Sequence, residues 1–290
     1  MADYKRGPRE CFVARPGHAI VSIDFDSFEL RTWSQVCIDL LGYSDMAVVL
    51  RDPKRCPHVE MGACVEGIAA SEAYALKKTD PKRFKALRQI AKALNFGAPG
   101  GLGAARFSDF ARSTYGLDNV TEARAKELLL LWRDTWREAG AYLNYIAELV
   151  GPRGSRITIQ QLRSGRYRGN VGYCDAANSF FQGLAADAAK AGMVELMYEQ
   201  YERTESPVYG CRTLAFIHDE VLIEIPLDRL HEAAFRARDV FVAGAQVFVP
   251  DVPLTASPSA MFRWSKAAGD PVFDAAGRLI CYDGVLGLPG

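Results

Sequence analysis

Short apolar runs alternate with longer segments of helical periodicity along this chain. Residues 19–23 are dense in β-branched side chains and follow the turn Pro16-Gly17, which predicts a strand that ends at Asp24. In residues 213–226 two apolar runs flank His218-Asp219-Glu220, and this pattern predicts a β-hairpin with the three polar residues at its tip. The sequence therefore places a carboxylate at the end of a strand in two distant parts of the chain.

The remaining segments have mainly helical patterns. Asp26-Ser-Phe-Glu29 has the spacing of a capping box and predicts a helix that ends near Leu41. Residues 52–150 are helical in pattern, with a sharp interruption at Gly97–Gly103, where a proline and several glycines disfavour a helix. Further predicted elements are a helix that begins after Thr121 and is divided at Gly140, helices over 178–201 and 228–245, and a hairpin over 271–282 that turns at 274–277.

Composition places the chain among ordinary globular proteins. Of its 290 residues, 49% are hydrophobic and 24% are charged, which excludes a disordered tail and a collagen-like repeat. The apolar runs are far shorter than the ~20 residues that a membrane-spanning helix requires, and no apolar segment follows the N-terminus as in a signal peptide. We therefore expect a cytoplasmic protein without a membrane partner.

Charge is balanced overall but uneven locally. The 35 basic and 35 acidic residues give a formal net charge of zero, which does not decide for or against nucleic acid. Residues 77–92 hold seven bases and one acid, and residues 153–168 hold five arginines and no acid. Such patches suit a phosphate backbone, although for either patch alone a solvated face is an equal alternative.

The two strand-end aspartates, Asp24 and Asp219, carry the first chemical hypothesis. Two such carboxylates on one sheet can hold two Mg²⁺ ions about 4 Å apart, which activate a nucleophile and stabilise a leaving oxygen. Carboxylate oxygen suits Mg²⁺, which keeps water and substrate phosphate in its coordination shell. The alternative is that Asp24 caps a turn and that the hairpin tip is an ordinary polar turn.

A second hypothesis concerns Arg88, Lys92 and Phe96, which recur every four residues and therefore share one helical stripe. Two cations one turn apart can bind a triphosphate, and the aromatic ring can lie against a sugar or a base. The alternative is a solvated basic face with Phe96 packed in the core.

Taken in order, these motifs resemble those of the family A DNA polymerases. Asp24-Phe-Asp-Ser-Phe-Glu-Leu-Arg31 resembles motif A, Arg88…Lys92…Phe96-Gly97 resembles motif B, and His218-Asp219-Glu220 resembles motif C. Asn178-Ser-Phe-Phe-Gln-Gly-Leu-Ala-Ala-Asp187 is similar to the family's N-x-x-x-Q-G-x-x-A-D helix. Each motif is weakly specific alone, whereas four in this order and spacing are characteristic of the family.

The resemblance implies an α+β fold. It is a right-hand polymerase palm, made of a small antiparallel sheet with helices, into which helical fingers are inserted. Residues 1–50 would form the first palm segment, 51–154 the fingers, and 155–290 the second palm segment with a C-terminal tail.

The resemblance also implies an activity and its site residues. The chain would add deoxynucleotides to a primer 3′-hydroxyl by two-metal catalysis. Asp24, the Phe25 backbone carbonyl and Asp219 would hold two Mg²⁺ ions, for which Mn²⁺ is a possible substitute, and Glu220 would be an auxiliary carboxylate. The remaining residues would contact substrates: Arg88, Lys92 and Phe96 the incoming nucleotide, Glu29 its sugar as a steric gate, and His218, Asn178, Gln182, Arg31, Arg163, Arg166 and Arg168 the primer–template DNA.

The sequence departs from the family pattern in two places. Gly100 stands where motif B has a tyrosine, and with Pro99 this predicts a shorter or kinked fingers helix. Only 23 residues precede Asp24, whereas the family places a thumb and often an exonuclease upstream. A truncated chain and a split polymerase that needs a second, thumb-bearing chain both fit this pattern.

Two other functions stay open at this point. A single-subunit RNA polymerase has related motifs, although Glu29 favours deoxynucleotides because a bulky gate would clash with a ribose hydroxyl. A DNA-binding subunit without turnover could keep the fold, although Asp24, Asp219, Arg88 and Lys92 argue for catalysis.

Overall fold

The structure is a computed structural model, and it describes residues 7–282. The described residues form eight β-strands: β1 (His18–Phe25), β2 (Ile157–Gln160), β3 (Tyr167–Val171), β4 (Arg212–Ile217), β5 (Glu220–Pro226), β6 (Ala256–Met261), β7 (Val272–Phe273) and β8 (Leu279–Tyr282). They also form ten α-helices: α1 (Phe28–Leu41), α2 (Asp45–Arg51), α3 (Pro57–Glu66), α4 (Ala70–Thr79), α5 (Pro81–Gly97), α6 (Ala104–Tyr115), α7 (Glu122–Thr135), α8 (Arg137–Val150), α9 (Tyr173–Tyr201) and α10 (Leu230–Gln246). The predicted α+β class is confirmed.

Six strands form the main sheet in the order β4-β5-β1-β6-β8-β7, and β2 pairs with β3 in a separate hairpin. The central strand β1 is antiparallel to both β5 and β6, as predicted for this small sheet. The one departure among the described strands is the β6–β8 pair, which is parallel. Because β1 is buried along most of its length, the position of Asp24 near its end is firmly fixed.

Two compact units emerge from the packing. One takes in Met1–Phe28, Ala186–Val247 and Leu254–Gly290, and it contains the six-stranded sheet. Its described core includes α10 against the sheet, where the Phe25 ring lies 4.2 Å from that of Phe28 and 4.6 Å from that of Phe241.

The other unit takes in Glu29–Ala185 and Phe248–Pro253 and is mainly helical. The buried rings of Trp33, Trp132 and Tyr142 form the centre of its core, with the Trp33 ring 5.5 Å from Trp132 and 6.0 Å from Tyr142. Within residues 7–282, none of the helices combines the length and the apolar character that crossing a bilayer requires.

Several element boundaries follow the sequence predictions and others do not. Thr121 caps α7 as predicted, since its hydroxyl accepts a hydrogen bond from the backbone of Arg124. The predicted break at Gly140 is wrong, because this glycine lies within α8 and the chain turns instead at Trp136, whose φ of −108° and ψ of 93° are extended. Helix α9 begins at Tyr173, five residues before the predicted start, and the β2–β3 hairpin was not predicted at all.

Candidate active site

Strand pairing brings the two predicted aspartates together. In the register of β1 and β5, Asp24 lies directly opposite Glu220, the first residue of β5. Asp219 is next to Glu220 in the two-residue turn between β4 and β5. The other turn residue, His218, has a φ of 59°, a left-handed conformation that few non-glycine residues adopt. A tight turn therefore places the Asp219 carboxyl beside that of Asp24.

These side chains line one cavity of about 350 Å³, which lies within the unit that contains the sheet. Its lining residues include Arg9, Ser22, Asp24, Asp26, His218, Asp219, Glu220, Ser257, Ser259 and Lys266. Side chains of a strand alternate between its two faces, so Ser22 and Asp24 share a face with their β6 partners Ser259 and Ser257. One polar face of the sheet therefore supplies most of this cavity.

Negative charge on the two aspartates is energetically unfavourable, as their pKa values show. Desolvation raises the pKa of Asp24 from 3.8 to about 6, and repulsion by Asp219, Glu220 and Asp26 adds to this effect. Desolvation also raises the pKa of Asp219, as does Glu220, although a hydrogen bond between the Asp24 and Asp219 carboxyls acts in the opposite direction. Two neighbouring carboxylates are stabilised when one of them takes up a proton or when a cation binds between them.

The donor set fits a magnesium site. Within the described residues, no group of three or more His, Cys, Asp or Glu side chains is arranged to hold a metal ion alone. Mg²⁺ does not need such a cage, because one or two carboxylates are enough when water and substrate phosphate complete its shell. Asp24 and Asp219 supply such hard oxygen ligands, and the raised pKa of each shows that its negative charge is disfavoured in the protein alone. Phe25, whose carbonyl is the third predicted ligand, is held by the ring packing of its side chain.

Motif B lies on α5, which Asp80 caps through its side chain. Arg88 and Lys92 are half-buried and, among the described residues, neither has an acidic partner; the buried Nε of Arg88 lacks a hydrogen-bond acceptor. By contrast, Arg83 on the same helix pairs with Glu66 at 2.6 Å. Burial and the nearby Arg88 lower the pKa of Lys92. The stripe therefore holds positive charge that no acidic side chain within residues 7–282 neutralises.

A buried polar network holds the inner face of α5, and the sequence motifs gave no sign of it. Asn95 accepts hydrogen bonds at Oδ1 from the indole nitrogens of Trp132 (3.2 Å) and Trp136 (3.1 Å), and its amide nitrogen lies 3.3 Å from Nδ1 of His58. Since the amide must donate, His58 accepts at Nδ1 and is neutral. The His58 ring also lies 5.3 Å from that of Phe96, so this network positions the aromatic residue of motif B.

The predicted gate residue Glu29 is half-buried and accepts a hydrogen bond from Gln182 at 3.2 Å. The structure therefore joins motif A to the α9 motif within the helical unit. Burial and the charge of Glu29 both raise the pKa of Tyr115.

The structure explains why a glycine, Gly100, stands where motif B has a tyrosine. A Cβ atom at Gly100 would lie 2.6 Å from the side-chain amide of Asn178, so no larger residue fits without movement. As the sequence predicted, α5 stops early: it ends at Gly97 and is followed by a 3-10 turn over Ala98–Gly100.

The four arginines assigned to DNA lie in the helical unit, and each has a protein partner. Arg31 is buried and donates to the carbonyl of Pro253. Arg163 forms a bidentate ion pair with Asp39 at 2.8 and 2.5 Å. The last two contact the first turns of α9: Arg166 donates to the carbonyl of Gly183 at 3.3 Å and Arg168 donates to the Ser179 hydroxyl.

Comparison with known proteins identifies the relatives of this chain. The model of DNA polymerase family A matches residues 2–266. The chain is 28% identical to the thermostable DNA polymerase I of Thermus filiformis over 90% of its own length and 29% of that protein. It is 26% identical to DNA polymerase I of Deinococcus radiodurans, covering 86% of this chain and 24% of the relative.

A solved structure has the same fold. The POL domain of Pol1 from M. smegmatis, in complex with DNA primer–template and dNTP, superposes with a TM-score of 0.66 at 20% identity, covering 90% of this chain and 42% of that one. The chain thus spans about a third or less of the two polymerase I relatives described above. Since the family model covers nearly its whole length, the chain belongs to DNA polymerase family A.

Proposed function

We propose that this chain catalyses template-directed addition of deoxynucleotides to the 3′-hydroxyl of a DNA primer. The observation that carries the proposal is the pairing of Asp24 and Asp219, whose carboxyls are close enough to hydrogen-bond and whose pKa values are both raised. Membership of the family makes nucleotidyl transfer the reaction that such a pair serves.

In this proposal Asp24, Asp219 and the Phe25 carbonyl hold two Mg²⁺ ions, with Mn²⁺ as a substitute. The bound ions would lower the pKa of the primer hydroxyl and neutralise charge on the leaving pyrophosphate. The raised pKa values of both carboxyls support this assignment, because negative charge that is disfavoured in the protein alone is stabilised by a bound dication. The primer hydroxyl is the nucleophile in this scheme, so the contribution of the protein would be positioning and charge stabilisation.

The proposal also assigns residues to the incoming nucleotide and to the DNA. We propose that Arg88 and Lys92 bind the triphosphate, because their charges have no acidic partner among the described residues. Phe96 would lie against the sugar, and Glu29 would exclude a 2′-hydroxyl. His218, Asn178, Gln182 and the four arginines described above would contact primer–template DNA, and the arginines would have to share or exchange their present partners.

The proposed division of the chain follows the family pattern. Residues 1–50 and 155–290 would supply the palm, and residues 51–154 would supply the fingers.

Primer extension tests the function. The purified chain is mixed with primed single-stranded DNA, Mg²⁺ and deoxynucleotides, and a parallel reaction contains ribonucleotides. We expect extension with deoxynucleotides that falls at least 1,000-fold in Asp219→Asn, about the cost of losing a major electrostatic contact in a transition state. Asp239→Asn, a change at an exposed aspartate of α10, is the matched control and should extend at the unaltered rate. Absence of extension by the folded protein would contradict the proposal for this chain alone.

A further inference from the structure

The carboxylate of Glu220 is engaged on both of its oxygens, although it borders the proposed metal site. Its Oε1 accepts hydrogen bonds from the Ser22 hydroxyl at 2.7 Å and from the Trp264 indole nitrogen at 2.9 Å. Its Oε2 lies 3.5 Å from Nη1 of Arg9. With only 15% of the side chain exposed, Glu220 is held on the sheet by three donors from three separate parts of the chain.

The donors are themselves fixed. The guanidinium of Arg9 stacks over the Trp264 ring at 4.3 Å, and the Phe12 ring meets the same indole edge-on at 5.6 Å. The backbone nitrogen of Trp264 donates to the Phe12 carbonyl at 3.1 Å. This packing pins the indole N–H in one direction, toward Glu220.

Glu220 lies where a free carboxylate would interfere. It is directly opposite Asp24 and adjacent to Asp219, and all three line the same cavity. A dication bound by the two aspartates would attract a third, mobile carboxylate, because carboxylate oxygen is its preferred ligand. Such a ligand would displace the ion or take a position that water or phosphate needs.

We propose that Arg9, Ser22 and Trp264 are positioning residues that hold the Glu220 carboxylate away from the metal ions, so that Asp24, Asp219 and the Phe25 carbonyl set the ion positions without it. This inference rests on the metal site of the proposed function. It assigns a role to Trp264, which lies outside every motif of the sequence, and it separates Glu220 from the metal ligands.

We call the three donors Arg9, Ser22 and Trp264 the Glu220 clamp. Measuring Mn²⁺ binding without nucleotide or DNA tests this clamp directly. Trp264→Phe keeps the ring and its stacking but removes the N–H, and Ser22→Ala removes the other donor to Oε1; neither variant changes the charge. We expect each to tighten the dissociation constant for Mn²⁺, measured by electron paramagnetic resonance, by about three- to tenfold, because the released carboxylate becomes an additional ligand. In primer extension, the turnover number of the same variants should fall about tenfold, because a displaced ion is badly placed for catalysis.

A second background shows whether the effect passes through Glu220. In Glu220→Gln, adding Trp264→Phe should leave the Mn²⁺ dissociation constant unchanged, because the released group is neutral. The matched control is Trp136→Phe, which also loses one indole hydrogen bond but in the helical unit, and which should not alter Mn²⁺ binding.

Different results would contradict the role of Trp264, the proposed function and the metal site. An Mn²⁺ dissociation constant that is unchanged or weaker in Trp264→Phe would show that the indole merely stabilises the fold and would overturn the inference, as would an equal effect in the Glu220→Gln background. Failure of the unaltered protein to extend primers would contradict the proposed function while the Mn²⁺ measurements still decide the clamp. Failure of the unaltered protein to bind Mn²⁺ would overturn the metal site and the clamp together.

Discussion

The carboxyls of Asp24 and Asp219 lie within hydrogen-bonding reach of each other, although they are 195 positions apart in the sequence. Asp24 lies near the end of β1, Asp219 lies in the turn that joins β4 to β5 of the same sheet, and their charges repel. The fold therefore maintains an arrangement that is unfavourable without a cation, a common cost of functional sites.

Replacing Asp24 by Asn should stabilise the metal-free protein. The folded-state pKa of about 6 lies above the ordinary 3.8, so the folded protein holds more protons between these values and loses stability as the pH rises from about 4 to about 6. At pH 7, with the effect reduced because this side chain is partly exposed to water, Asp24→Asn should raise the free energy of unfolding by about 1 kcal/mol. Urea denaturation in the presence of a chelator measures it. A loss of stability at pH 7 would mean that the aspartates do not repel as described.

The positions of Asp24 and Asp219 also show how much of the site can be predicted from the sequence. The strand before Asp24 and the hairpin around Asp219 are strongly signalled locally, by β-branched runs and a polar turn, and both predictions are confirmed. Pairing of β1 with β5 then follows, since two buried strands of one small sheet need neighbours.

Features that depend on distant partners were not predictable. Trp264 contacts Glu220 and Phe12, and nothing near it in the sequence indicates either partner. The β2–β3 hairpin was missed because most of β3 is exposed and lacks the apolar alternation by which strands are recognised. The turn at Trp136 was assigned to Gly140 because local propensity favours glycine, whereas packing of the indole on Asn95 decides the position.

Lys92 should be essential for nucleotide binding but not for folding. Its charge is half-buried and has no acidic partner among the described residues, so Lys92→Met removes a desolvation cost and should leave the melting temperature unchanged or slightly higher. We expect kcat/KM for deoxynucleotides to fall by about 100- to 1,000-fold, the scale of one strong phosphate contact. Steady-state kinetics at saturating DNA measure it. Lys126→Met, at an exposed lysine of α7, should stay within twofold of the unaltered protein, and an equal loss in both variants would refute the assignment.

Glu29 should determine the preference for deoxynucleotides. If its side chain occupies the space of a 2′-hydroxyl, Glu29→Ala should reduce the ratio of deoxy- to ribonucleotide incorporation by about 100-fold, whereas the isosteric Glu29→Gln should largely keep it. Gln182→Leu removes the 3.2 Å hydrogen bond to Glu29 and should have an intermediate effect, because the gate becomes mobile. Competitive incorporation assays give these ratios. Unchanged selectivity in Glu29→Ala would remove the residue from the gate.

Asn95 should be a major determinant of stability. Asn95→Ala leaves two buried indole nitrogens, of Trp132 and Trp136, without their acceptor. Each unsatisfied buried donor costs about 1–3 kcal/mol, so we expect a loss of about 3 kcal/mol in the free energy of unfolding. Urea denaturation with an unchanged slope measures it. The same change at the exposed Asn119 should be close to neutral, and a small loss at Asn95 would mean that water replaces its contacts.

His58 should make the protein sensitive to mild acid. Burial, together with the charges of Lys92 and Arg88, lowers its pKa from 6.5 to about 3, so the unfolded chain takes up a proton between these values and the folded protein does not. The stability contributed by neutral His58 is complete above pH 6.5 and is lost as the pH falls, by about 2 kcal/mol at pH 5. His58→Gln keeps an acceptor for Asn95 and cannot be protonated, so in an Asp24→Asn background, which removes the opposite titration of that carboxyl, it should flatten the dependence of unfolding free energy on pH between 5 and 7. A pH dependence that persists unchanged in His58→Gln would show that the buried ring is not its source.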